Sequence, residues 1–304
     1  MRGQLGSSRR TPVRYTDPAI STRNTTAAAR QWTRPGASTV TQPPESSSSG
    51  RIVSLHSFRG GTGKSNVVAS LAYLKAAAGK RVAVLDTDLQ SPGIHVPFGL
   101  EDERVIHTLS DFCLGLCKIE EAAYDLTAPL DLESSAGRLF LLPSSMKLDH
   151  ISKLIAEGYD ASELNAKIRE LIDVLELDYL LIDTHPGLNR ETMMTLPIAD
   201  RVLLMCRPDS QDLHGAEVVF EVAKRLRVPR VELLANKVPE DRREEFEAEL
   251  VERFDVDVIG VLPLSEDVSR LGSRGIFSRL FPSHPVTDEL RRIASSLQAE
   301  RGHD

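Results

Sequence analysis

From Arg51 onward, short apolar runs alternate with longer stretches in which apolar residues recur every third or fourth position. The runs at 52–58, 81–86, 138–142, 179–183, 201–206, 230–235 and 256–262 are apolar almost throughout, not at every second residue. That pattern predicts strands covered on both faces, as in a parallel sheet. The stretches at 64–78, 161–175, 211–226, 242–253 and 287–300 have helical spacing; Leu164, Ile168, Leu171 and Leu175, for example, form one stripe. Strands alternating with helices imply right-handed crossovers, hence an α/β fold with a doubly wound, mostly parallel sheet flanked by helices. Ligands of such folds sit at the carboxyl ends of the strands, and polar motifs are expected there.

Residues 1–50 break the pattern. Half of them are Ser, Thr, Pro or Gly, which predicts a disordered tail ahead of a folded domain over 51–304. The 304-residue chain has a net charge of −7, divided as +5 on the tail and −12 on the remainder. A basic segment on an acidic body predicts either a salt-sensitive, non-specific contact with DNA or a merely solvated leader. Trp32, between Arg30 and Arg34, reads either as a short binding motif or as part of an unstructured start. No run approaches the roughly 18 apolar residues of a membrane-spanning helix, and the first residues lack a secretory signal. Three cysteines make a sparse, odd set that fits a reducing compartment, so the expected location is cytoplasmic.

The first apolar run leads directly into Phe58-Arg59-Gly60-Gly61-Thr62-Gly63-Lys64-Ser65 and then into a predicted helix. Glycines let successive backbone amides face inward around an anion, and a helix amino terminus adds its positive dipole end. Gly60, Gly61, Thr62, Gly63, Lys64 and Ser65 are therefore expected to cradle nucleotide phosphates. Lys64 would reach the β- and γ-phosphates, and the Ser65 hydroxyl would ligate Mg2+. The ordinary GxxxxGK[ST] loop carries Gly where Phe58 stands, so this is a different phosphate loop.

The sequence RGGTGKS resembles the deviant Walker A loop of the ParA/MinD family, P-loop NTPases whose signature Lys occupies the position of Arg59. The resemblance implies a Mg-ATP-dependent switch that forms a homodimer with ATP sandwiched between subunits, residue 59 reaching the partner's phosphates. An Arg has a permanently charged, planar donor fork suited to that task, or to neutralising nucleotide in its own subunit. Asp86 and Asp88, at the end of the second run, resemble the family's first switch. This implies that Asp88 orients the attacking water and that Asp86 sits near Mg2+ or supports the switch. LDYLLIDTHPG resembles Walker B, implying that Asp183 holds Mg2+ through water and that residues 184–187 form a second mobile loop. The family usually has Pro at His185, which is expected here to be a packed, neutral structural residue, the alternative being a pH-sensitive group beside the γ-phosphate. VELLANKVP and GVLPLSEDV resemble the base-contacting segments and nominate Asn236 for adenine recognition, with Pro263 near the base.

The function so implied is positioning, partitioning or assembly of a cellular cargo, with ATP hydrolysis slow until an unidentified partner intervenes. Two alternatives stay open: an ATP-dependent small-molecule ligase of the same fold, and a nucleotide-binding scaffold with little turnover. Cys113 and Cys117 are expected to share one helix face as buried thiols, not metal ligands. Val286, Leu290, Ile293 and Leu297 read as a core-facing stripe instead of a bilayer-lying helix, which disfavours a membrane partner. The segment 275–281 either packs or meets a partner or lipid. Arg270, Arg274 and Arg279 are candidate DNA contacts, although acidic neighbours balance their charge.

Overall fold

The computed structural model describes residues 50–297; residues 1–49 of the predicted disordered tail, Trp32 among them, and residues 298–304 lie outside the described residues. Eight strands, β1 (Arg51–His56), β2 (Arg81–Asp86), β3 (Tyr124–Asp125), β4 (Arg138–Leu142), β5 (Tyr179–Asp183), β6 (Arg201–Cys206), β7 (Val231–Val238) and β8 (Val258–Pro263), form one sheet. Their order is β3-β4-β2-β5-β1-β6-β7-β8, parallel throughout except for the short antiparallel pairing of β3 with β4. The helices are α1 (Lys64–Ala77), α2 (His95–Phe98), α3 (Leu109–Cys113), α4 (Leu148–Glu157), α5 (Ala161–Val174), α6 (Arg190–Thr195), α7 (Ser210–Arg225), α8 (Arg243–Phe254), α9 (Glu266–Leu271), α10 (Phe277–Leu280) and α11 (Pro285–Ser296).

Both faces of the sheet are covered, which explains the continuous apolar runs: every residue of β5 and β6 is buried. Val53, Leu55, Val84 and Leu181 pack on one face with α1 and α11, while Ile52, Leu85, Ile182 and Val202 pack on the other with α5. Farther along that second face, Leu204, Ala235 and Val261 meet α7 and α8. From β1 the chain moves outward to β2 on one side, whereas β6, β7 and β8 fill the other. The carboxyl end of β1 is thus a topological switch point, where loops on either side diverge and leave a crevice.

The structure corrects several boundaries. β1 stops at His56, two residues early, because Ser57 and Phe58 already belong to the following turn. β7 runs on to Val238, with irregular register against β8 between Ala235 and Val238. α11 starts at Pro285, a residue whose missing N–H suits a first turn, capped by His284 Nδ1 accepting from the Val286 amide. Cys113 and Cys117 do not share a helix face. α3 ends at Cys113, and Gly115, at φ 71°, turns the chain before Cys117. Burial pushes the Cys113 thiol up to about 12 and the Cys117 thiol up to about 11, so both stay protonated. Val286, Leu290, Ile293 and Leu297 are buried as expected. In the 275–281 segment Ile276 and Phe277 pack inward, whereas Leu280 and Phe281 are exposed. Arg270 pairs with Glu266 and Arg279 with Asp131. Among the described residues no helix is long and apolar enough to cross a membrane.

Candidate active site

The glycine-rich turn fills the crevice at the end of β1. Gly61 and Gly63 adopt φ of 73° and 98°, conformations open to glycine at little cost. Gly63 also lies so close to Asn236 that an added Cβ would sit 2.6 Å from its Nδ2. Gly63 caps α1 without any side-chain hydrogen bond, leaving the first-turn amides of a 14-residue helix facing the cavity. Ser57 organises the turn from beneath. Its hydroxyl accepts from Thr62 Oγ1 at 3.1 Å and from Lys64 Nζ at 3.0 Å, and donates to the Arg59 carbonyl at 2.8 Å. Burial lowers the affinity of Lys64 for its proton, and Asp183, Asp88 and Asp212 act in the opposite direction. A buried ammonium held by one serine is a group prepared for anionic ligand.

Two carboxylates end adjacent strands beside it. Asp86 and Asp183 are register partners on β2 and β5, and both are buried. Burial, reinforced by Asp183 and Asp88, raises Asp86 well above the usual carboxylate range. Burial also lifts Asp183 to about 6, while the Ser65 hydroxyl and Lys64 pull in the other direction. Asp183 Oδ1 is buried and has no hydrogen-bond partner among the described residues. A serine hydroxyl near an aspartate with one unused buried oxygen, and a second carboxylate alongside, is an all-oxygen donor set that fits a hard divalent cation such as Mg2+.

Asp88 lies across the cavity that Gly60, Gly61, Gly63, Lys64 and Ser65 line. Its Oδ1 accepts from the Ser91 amide at 2.9 Å, the Ser91 hydroxyl at 3.0 Å and His185 Nδ1 at 2.7 Å. His185, expected to be a packed, neutral structural residue, is part-buried, and its ring is hydrogen-bonded to Asp88. Arg59 reaches neither loop nor cavity in its own chain. Its Nη1 donates to Gln211 Oε1 at 2.8 Å and pairs with Asp209 Oδ1 at 3.4 Å, at the amino end of α7.

On the other side of the loop, Asn236 Nδ2 donates to the Thr62 carbonyl at 2.7 Å, and Lys237 Nζ to the Gly61 carbonyl at 2.8 Å. Both come from the irregular stretch of β7, where Lys237 has φ 58°. Asn236 and Pro263 line one pocket with the apolar side chains of Val67, Leu262, Val268 and Phe277, a shape and chemistry that suit a flat base. The structure thus gathers Gly60 to Ser65, Asp86, Asp88, Asp183, Asn236 and Pro263 around one crevice, and leaves Arg59 at its rim.

Three residues of this site escape sequence reasoning. Ser57 looks like the end of an apolar strand, and Lys237 is an unremarked neighbour of Asn236. His56 is buried beneath the loop with its Nδ1 2.7 Å from Thr184 Oγ1; burial, with Lys64 and His185 nearby, lowers its pKa to about 3 and keeps it neutral. The place of Ser57 three residues before Gly60 was the one usable signal.

A strand, a glycine turn and an uncapped helix at the switch point, faced by a buried lysine and strand-end carboxylates, define a P-loop protein of the ATPase type. The AAA domain family matches residues 50–233. An uncharacterised ATP-binding protein of Methanocaldococcus jannaschii is 27% identical, over 81% of this chain and 86% of that one. The septum site-determining protein MinD of Bacillus subtilis is 24% identical, over 83% and 90%. The solved structure of MinD from Pyrococcus horikoshii complexed with Mg-ADP superimposes with a TM-score of 0.67 at 23% identity, covering 81% of this chain and 95% of that one. The chain belongs to the ParA/MinD-like family of P-loop ATPases.

Proposed function

We propose that this protein is a Mg-ATP-dependent dimerisation switch that positions, partitions or assembles a cellular cargo, hydrolysing ATP slowly until a partner protein stimulates it. The observation that supports it most is the placement of Asp88 across the phosphate cavity from Lys64 and the first turn of α1. Phosphoryl transfer demands little of a protein beyond positioning and charge stabilisation, and these groups offer both. In this reading Gly60, Gly61, Thr62 and Gly63 present amides to the phosphates, Lys64 contacts the β- and γ-phosphates, and Asn236 with Pro263 receives adenine. Ser65 and Asp183, with Asp86 in support, would hold Mg2+, whose contribution is to neutralise phosphate charge. Asp88 would hold the attacking water in line.

Arg59 supports the homodimer. Held on Gln211 and Asp209 at the rim, its guanidinium is half exposed and can turn toward nucleotide in a facing subunit. Residues 51–304 would be the ATPase domain, and the +5 segment 1–50 would supply a weak, salt-sensitive contact with DNA. Sedimentation of the full chain and its Asp88→Ala variant with ATP or ADP tests the switch. ATP should favour dimers over ADP, and the variant should remain dimeric with ATP bound. A mass that is the same in both nucleotides for both proteins rejects a dimerisation switch in favour of a ligase or scaffold.

A further inference from the structure

We infer that His185 is the positioning residue for Asp88, fixing the carboxylate so that one of its oxygens faces the attacking water; the inference rests on the reading of Asp88 given above. A carboxylate only accepts hydrogen bonds, so the 2.7 Å contact assigns the proton to His185 Nδ1. Oδ1 of Asp88 is then held by three donors, the Ser91 amide, the Ser91 hydroxyl and the imidazole. Oδ2 has a single contact among the described residues, the same Ser91 hydroxyl at 3.2 Å. One oxygen is anchored, and the other keeps lone pairs for a water in the cavity.

The three anchors are not equivalent. Ser91 stands three positions beyond Asp88 on the same turn, so its two bonds travel with that turn wherever it goes. His185 comes from the loop after β5, two positions past Asp183, and ties Asp88 to the other wall of the crevice. That loop is itself fastened. The Gly187 amide donates to the Ser57 carbonyl at 2.9 Å, and the Thr192 hydroxyl donates to the Gly187 carbonyl at 3.0 Å. Ser57 in turn accepts from Lys64. His185 thus completes a chain of contacts from the phosphate lysine to the water-facing aspartate. Without it Asp88 keeps local bonds alone and its carboxylate is free to rotate with its turn. The loss falls on orientation during the chemical step, leaving the amides and lysine that bind ATP untouched.

Single-turnover phosphate release and ATP affinity, measured on the full chain and on His185→Ala, His185→Asn and Asp88→Ala, test this. Asn places an amide N–H where Nδ1 stands, so His185→Asn should keep a rate near that of the parent. His185→Ala should lose about tenfold or more in rate with unchanged ATP affinity. If Asp88→Ala is inactive while His185→Ala hydrolyses at the parent rate or faster, the positioning role is wrong and the reading of Asp88 survives. Normal hydrolysis by Asp88→Ala overturns both. Equal impairment of the Ala and Asn variants overturns the inference as well, because the Nδ1 donor would then not be what matters. Should His185→Ala melt early, His185→Asn and the non-additivity of Asp88→Ala with His185→Asn carry the decision.

Discussion

Asp86 and Asp183 stand opposite one another at the carboxyl ends of β2 and β5, register partners on neighbouring strands and both shut away from solvent. Neither has a cationic side chain as its main support; Asp183 adds to the burial that raises Asp86, and Asp88 adds to the burial that raises Asp183. The fold thereby stores unfavourable negative charge where a divalent cation would relieve it. On the proposed reading, stability is given up at this point in exchange for a Mg2+ site, and the cost can be measured.

Replacing Asp183 by Asn should stabilise the nucleotide-free protein. With its pKa raised from 3.8 to about 6, Asp183 contributes stability fully present below the unfolded value and lost as pH rises through about 6. At pH 7.5 the ionised group therefore costs about 3 kcal/mol by linkage, which Asn removes. Denaturant unfolding should show the variant more stable at pH 7.5, with the gap closing toward pH 4. Mg2+-dependent retention of ATP should vanish in the same variant. Equal stability of the two proteins at every pH would rule out the stored charge.

Lys64 and Asp88 should separate binding from turnover. Lys64→Ala removes the buried ammonium that Ser57 holds at 3.0 Å, so ATP affinity should fall by about a hundredfold, the loss of one charge-assisted contact at a desolvated site. Asp88→Ala leaves loop and lysine in place, so affinity should hold while phosphate release drops. Calorimetric titration with ATP beside a phosphate assay distinguishes the two. A pair of variants with the same profile would contradict the division of roles.

Phe58 occupies the position where an ordinary phosphate loop has glycine, and its ring packs directly on Gly215 of α7. A methyl group added at Gly215 would overlap the ring. Gly215→Ala should therefore displace Phe58 and the start of the loop, destabilising the protein by about 1–3 kcal/mol as overpacking does. Adding Phe58→Ala should recover most of that loss, giving a strongly non-additive cycle in thermal melts. Additive effects would mean that the two residues do not share this contact.

The sheet was legible because burial on both faces writes itself into the chain: β2, β4, β5 and β6 have the bounds that their apolar runs predict. β3 was not legible, since two residues at a sheet edge carry no period. α4 was missed although Leu148, Ile151, Leu154 and Ile155 recur at helical spacing. Its apolar stripe is only partly used, since Leu154 is buried while Leu148 and Ile155 are exposed. Within the site, the loop and the strand-end aspartates follow from local motifs. The bonds from His185 to Asp88, Arg59 to Gln211 and Lys237 to Gly61 join residues 97, 152 and 176 positions apart, and no local spacing encodes such meetings.

Lys75 lies in the last turn of α1, at the opposite end of the helix from the phosphate loop, and is buried. Its Nζ sits 4.2 Å from the centre of the Tyr179 ring and finds no hydrogen-bond acceptor among the described residues. Burial, followed by Lys80, Arg51 and Arg201, lowers its pKa from 10.5 to about 8, with Asp178 opposing. A lysine so depressed contributes stability present above pH 10.5 and lost as pH falls through about 8, so near pH 7 the charged form is a burden. The ring face offsets part of it. Methionine matches the volume and needs no proton, so Lys75→Met should stabilise the protein by about 2 kcal/mol, a rise in melting temperature of about 5 °C. The advantage should shrink from pH 7 to pH 10. If the variant melts lower than the parent at pH 7, the cation–ring contact outweighs the desolvation of the ammonium, and Lys75 is a net support of α1.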